Sequence, residues 1–220
     1  MSSHSDMSTV DALPTFAEIV EPGRTALLVV DVQRYFVRTE PGAMYPPVEE
    51  VLENLHRFIV ECRARGVLVV RIQAIIPDEA TEGVWRRHFR ERWATPSPLA
   101  PDQPGAELQP GFEPQPGDLV LTKPRYSSFI NTPLESLLRS RGIQTVLVGG
   151  LTTDVCVSST ARDAFQREFD TVTLHDCTSE KTQARHESGL ATLAATFGTV
   201  CSSTDVLAAW GAVPVAAAAS

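Results

Sequence analysis

Short apolar runs alternate with helix-spaced segments along most of this chain, and glycines punctuate the exchange. Thr25–Val30 (TALLVV) is apolar on both faces of an extended chain. Such a run needs cover on both sides, so it reads as a fully buried strand. Pro47 to Arg65 carries apolar residues at Val48, Val51, Leu52, Leu55, Phe58, Ile59 and Cys62. That is helical spacing, with a proline at a permitted first-turn position. Gly66 ends it, and VLVVRI (67–72) reads as a second strand. LVLT (119–122) is a third. Helix then follows over Thr132–Arg141, opened by Asn131 or Thr132 and stopped by Gly142. A strand follows at Thr145–Val148, a helix at Thr153–Glu168, a strand at Thr171–Leu174, a helix at Lys181–Phe197 and a short strand at Thr199–Cys201. Asp205–Trp210 adds a last turn or two.

Strands alternating with helices imply right-handed crossovers. The predicted fold class is therefore α/β: a doubly wound, three-layer α/β/α, Rossmann-like arrangement around a mostly parallel six-stranded sheet. At 220 residues the chain is long enough to bury roughly 70% of its extended surface around one core. The expected organisation is an N-terminal arm at 1–22 with a docking segment near its end, one domain over 23–212, and a tail at 213–220. Residues 74–118 interrupt the pattern and hold half of the sixteen prolines. A loop that long inside a compact domain is usually functional. Thr81–Trp93 reads as a short helix within it.

Composition narrows the partners. A net charge of −8 disfavours phosphate backbones, and no basic patch offsets it. No run approaches the 18 apolar residues of a membrane span, so no membrane partner is expected. The polar, acidic start lacks the pattern of a signal peptide, which points to the cytoplasm. Cys62, Cys156, Cys177 and Cys201 fit no metal or disulfide spacing and read as free thiols.

In parallel α/β sheets, ligands bind beyond the carboxyl ends of the strands. Asp31 follows the first strand, Lys123 the third, and GGLTTDVC (149–156) the fourth. The topology brings an acid, a lysine and a cysteine toward one edge. A thiol at a helix start, near an ammonium, is expected to have a lowered pKa. A carboxylate within reach can move its proton, and helix-start N–H groups can hold an oxyanion. Each residue also has an ordinary reading: a buried cysteine as filler, an aspartate as a helix cap, a lysine as a surface charge. The joint placement is what favours chemistry.

The segments ALLVVDVQRYF (26–36), KPRYSSFINTPLESLL (123–138), VGGLTTDVCVSSTARDAF (148–165) and HDCTS (175–179) resemble the isochorismatase-like cysteine hydrolases. That superfamily includes nicotinamidases, N-carbamoylsarcosine, ureidoacrylate, biuret and maleamate amidohydrolases, and isochorismatase itself. The resemblance covers residues 24 to 210. It implies Cys156 as nucleophile, Asp31 as general acid/base and Lys123 as the third catalytic member. It also implies a cis peptide between Leu151 and Thr152, and oxyanion donors at the N–H groups of Thr152 and Cys156. Implied with them are a thioester mechanism, no cofactor, and a homodimer or homotetramer whose long insertion contributes to a neighbour's site.

Residues 71–90 lack the Asp-x-His pair of a nicotinamidase metal site and offer only His88, so no metal is expected. His175 and His186 read as structural or surface histidines. The stretch from Arg125 to Val157 looks most like the ureidoacrylate and biuret branch, which favours a small linear ureide or carboxamide, with ammonia released. Gln73, placed where isochorismatases use a glutamine, keeps vinyl-ether hydrolysis open. A non-catalytic binder on the same fold is the third reading. Dinucleotide binding at GGLTTD is weak, because the segment lacks GxGxxG. The candidate substrate-binding residues are Phe36, Gln73, Trp85, Arg125, Tyr126 and Phe129, and an anionic substrate would suit Arg125, Arg86 or Arg87.

Overall fold

A computed structural model describes residues 13–78, 84–88 and 96–212. Six strands form one sheet: β1 (Thr25–Val30), β2 (Leu68–Ala74), β3 (Leu119–Lys123), β4 (Thr145–Leu151), β5 (Asp170–Ser179) and β6 (Thr199–Cys201). Their order is β3-β2-β1-β4-β5-β6. Every neighbouring pair is parallel, so the sheet is wholly rather than mostly so. The helices are α1 (Phe16–Ile19), α2 (Val48–Ala64), α3 (Val84–His88), α4 (Leu134–Ser140), α5 (Ser158–Phe165), α6 (Gln183–Thr196) and α7 (Ser203–Ala212).

Alternation along the central strands sends side chains to two cores. Leu28, Val30, Val146 and Val148 meet Leu134 and Leu138 of α4, Ala161 of α5 and Leu193 of α6. Leu27, Val29 and Leu147 meet Leu55, Phe58 and Ile59 of α2 and Val206 and Trp210 of α7. Period-2 side-chain direction thus covers each sheet face with its own helix layer. The docking segment of the arm is α1, opened by a capping box between Thr15 and Glu18. Trp210 anchors α7 by stacking on Phe58 at 5.5 Å and donating its indole N–H to Val20 O at 2.6 Å.

Several elements differ from expectation. β4 runs through Gly149 and Gly150 to Leu151. Gly150 has φ of +121°, and a Cβ there would lie 2.0 Å from Val30 O, so this strand passes β1 only as glycine. β5 continues to Ser179, although its apolar pattern stops at Leu174. Pairing with β4 slips between Val148 and Gly150 and resumes at Thr178. The expected helix from Thr153 begins as a π-helical turn over Thr153–Val157 and ends at Phe165. Of the helix expected over Thr81–Trp93, Val84–His88 is observed, and the rest lies outside the described residues, as do 1–12 and the tail from 213. Among the described residues no helix is long and apolar enough to cross a membrane.

Candidate active site

Three strand ends converge. Asp31 leaves β1 with φ of +52°, its N–H held by Ile72 O of β2 at 2.9 Å. Lys123 is the last residue of β3, in register with Ala74. Cys156 lies in the π-helical turn after β4. Lys123 Nζ donates to Asp31 Oδ2 at 2.7 Å and to Arg125 O at 3.0 Å. All three side chains are buried, Asp31 completely. Asp31 Oδ1 has no hydrogen-bond partner among the described residues. The Cys156 thiol is in electrostatic reach of both Asp31 and Lys123.

Burial raises the Asp31 pKa against the opposing pull of Lys123 and Cys156. For Lys123, burial works against the ammonium, but Asp31 and the thiol together prevail and raise its pKa. The expected lowered thiol pKa is not found. Burial first, and Asp31 second, push Cys156 well above its ordinary value. The reason is that the ammonium is already paired with a carboxylate, so the thiol meets a nearly neutral pair in a dry setting. The thiol form of Cys156 is therefore favoured, and a carboxyl group whose pKa is also raised sits beside it.

Two residues that sequence reading did not single out, Gln33 and Glu180, hold these loops together with His186. Gln33 is fully buried; its Nε2 donates to Ala74 O and Ala106 O at 3.0 and 2.8 Å, and its Oε1 accepts from Ala74 N at 2.7 Å. It ties the Asp31 loop to β2 and to the irregular insertion. Glu180 has no exposed surface, and its carboxylate accepts from Asp154 N at 3.2 Å and Lys181 N at 2.9 Å. His186, which burial shifts to a lower pKa, bonds through Nδ1 to Thr153 Oγ1 at 2.9 Å, and Thr153 bonds Thr178 at 2.6 Å. Glu180 and His186 thus brace the turn that carries Cys156. His186 is a structural histidine, as read; His175 is exposed. The Leu151–Thr152 peptide is cis.

Cys156, Lys123 and Thr152 line a cavity of about 380 Å³. Of the expected substrate-binding residues, Phe36, Trp85, Arg125 and Tyr126 line it. Gln73 and Phe129 do not. Gln73 follows strand alternation away from the Ala74 side and donates to Ala106 O at 3.3 Å. Phe129 is core, its ring 6.1 Å from that of Phe169 and covered by Arg167. Arg87 is exposed and off the cavity, and the Arg86 side chain lies outside the described residues. Arg38, Lys181 and Arg185 line it without having been foreseen. Among the described residues, no group of three or more His, Cys, Asp or Glu side chains comes together as a metal site.

The Isochorismatase domain family model matches residues 25–205. The chain belongs to the isochorismatase family. It is 34% identical over 194 residues to ureidoacrylate amidohydrolase RutB of Enterobacter sp. (strain 638), covering 79% of this chain and 83% of that one. Among solved structures, a cysteine hydrolase from Pseudomonas syringae pv. phaseolicola 1448A superposes with a TM-score of 0.77 at 26% identity, covering 93% of this chain and 99% of that one. N-carbamoylsarcosine amidase from Thermoplasma acidophilum superposes with a TM-score of 0.67 at 27% identity, covering 82% and 96%. In this isochorismatase-family chain, an acid–base pair stands beside a buried thiol on the wall of a cavity.

Proposed function

We propose that this chain hydrolyses a C–N bond of a small linear ureide or carboxamide through a thioester on Cys156, releasing ammonia. It is an amidohydrolase, in keeping with its ureidoacrylate amidohydrolase relative and its N-carbamoylsarcosine amidase neighbour. The observation that carries the reading is the buried 2.7 Å Asp31–Lys123 pair set against Cys156.

Asp31 takes the thiol proton as Sγ bonds to the carbonyl carbon. The N–H groups of Thr152 and Cys156 are the proposed donors to the resulting oxyanion, a contribution of about 3–4 kcal/mol per donor in a comparable site. The intermediate collapses, the C–N bond breaks, and Asp31 returns the proton to the departing nitrogen. Asp31 then takes a proton from water as its oxygen attacks the thioester, and the thiol is restored. Lys123 keeps Asp31 oriented and draws it toward the carboxylate form between steps, against the effect of burial.

Vinyl-ether hydrolysis loses its supporting residue, since Gln73 lies off the cavity and is bonded to Ala106. Val84 and Tyr126, exposed on the segments that wall the cavity, support a homodimer or homotetramer that closes the site. Four free thiols support a reducing, cytoplasmic setting. The test is ammonia release from ureido acids, biuret, maleamate, N-carbamoyl amino acids and nicotinamide. Release from an acyclic member that disappears in Cys156→Ala is expected. A folded protein that releases none, but cleaves isochorismate, would overturn the proposal.

A further inference from the structure

The chain is acidic overall, yet its catalytic cavity is lined by Arg38, Lys123, Arg125, Lys181 and Arg185 and, among the described residues, by no aspartate or glutamate. Three of the five cations are engaged where they stand. Lys123 neutralises Asp31, and the Arg125 guanidinium lies 5.4 Å over the Trp85 ring. Arg185 is held in place by Asp154 at 3.4 Å and Glu180 at 3.7 Å. Arg38 and Lys181 make no ion pair among the described residues. The antiparallel bridge between Tyr45 and Glu180 brings the segment after β1 alongside Lys181. One side of the cavity therefore offers a basic cluster in which Arg38 and Lys181 carry no ion pair among the described residues and Arg185 is held in position by two carboxylates. Such a cluster draws a carboxylate and offers its neutral ester no matching attraction.

The other side is apolar and aromatic. Trp85 and Tyr126 lie ring to ring at 5.0 Å, tilted by 33°, and Tyr35 meets Phe36 edge-on at 5.0 Å. Burial, then the neighbouring Cys156, raise the Tyr126 pKa, so the stacked pair stands close to the reacting thiol. At about 380 Å³ the cavity is within the range that takes drug-sized ligands, larger than one ureido group needs. Flat aromatic walls favour a flat partner, because offset stacking adds to area burial.

We propose, building on the amidohydrolase reading above, that the substrate is an aryl-bearing acid. Its amide or ureide lies at Cys156, its ring lies against Trp85 and Tyr126, and its carboxylate is met by Arg38, Lys181 and Arg185. The reaction itself is unchanged.

The experiment compares kcat/KM for ammonia release from N-carbamoyl-phenylalanine, its methyl ester and N-carbamoyl-alanine. The aryl acid is expected to exceed both others by at least about tenfold. Trp85→Ala should shrink the aryl-to-alkyl ratio, and the double change Arg38→Ala with Lys181→Ala the acid-to-ester ratio. Each ratio is internal to one variant, so partial unfolding does not move it. Cys156-dependent release with both ratios near one would overturn this proposal and leave the amidohydrolase reading standing. If no compound releases ammonia, calorimetric binding of the same three to Cys156→Ala decides. Tighter binding of the aryl acid supports the proposal, and equal or absent binding overturns it.

Discussion

Two buried acid–base clusters sit at opposite ends of β3, built from similar side chains and tuned in opposite directions. Just before the strand, Asp118 accepts from Arg63 Nε at 3.1 Å and Nη2 at 2.5 Å, from Arg71 Nε at 3.4 Å and from Gln115 N at 3.0 Å. Burial opposes its charge, but these donors prevail and lower its pKa. At the strand's other end, Asp31 has one ammonium, a thiol and an unpartnered Oδ1, and its pKa is raised. A carboxylate surrounded by donors is locked as an anion and serves as structure. One left short of donors is ready to accept a proton. Proton-transfer capacity therefore follows from what is withheld from Asp31, and it lies where α/β sheets bind ligands.

Substitutions can break this contrast. The largest effect is expected from Asp31→Asn, which removes the proton carrier. Ammonia release per folded molecule should fall by about 10³-fold or more. Asp118→Ala should do the reverse. It strands Arg71, 2% exposed, and should cost about 3–5 kcal/mol in urea unfolding while leaving kcat of the folded fraction unchanged. Comparable losses of kcat at both positions would refute the division of labour.

The fold was legible wherever burial and periodicity coincide. β1 matches its expected bounds, and α2 differs by a residue at each end. The convergence of Asp31, Lys123 and Cys156 was legible because each lies beyond the end of an apolar run. The length of β5 was not, since His175 to Ser179 are polar by sequence and paired only after a slip in register. Glu180 was equally hidden, and His186 was read as structural or surface without its partner Thr153. A charged residue and a histidine near a helix start look like surface, and only the tertiary approach of Thr153 and Asp154 makes them supports. The sign of the thiol shift was misjudged for a related reason. A helix-start dipole is local and readable in sequence, whereas complete burial beside Asp31 is not. The cavity wall draws Trp85 from the irregular 74–118 stretch, where no period guides side-chain direction, whereas Gln73 was misplaced within β2, whose alternation turns it away from the Ala74 side.

A smaller effect tests those hidden supports. Glu180→Gln replaces one acceptor by a donor beneath Asp154 N or Lys181 N. It should lower kcat about tenfold, because small misplacements of a nucleophile are costly. Glu180→Asp should recover part of the loss. The smallest effect is in pH dependence. Asp118, with a folded pKa below its ordinary 3.8, stabilises fully above that value, and the benefit is lost as pH falls through the lower folded value. Asp31 has the opposite sign: the folded state favours its protonated form, and that advantage disappears as pH rises from 3.8 through the raised value. Asp118→Asn should therefore flatten the acid limb of Tm against pH, leaving the limb from Asp31 in place.

The central claim is that Cys156 carries the acyl group while Asp31 moves the proton. Acid quenching during turnover, followed by peptide mass spectrometry, tests it most directly. The expected result is an acyl mass on the peptide containing Cys156 and none on those containing Cys62, Cys177 or Cys201. Turnover with the acyl mass on any other residue would contradict the account.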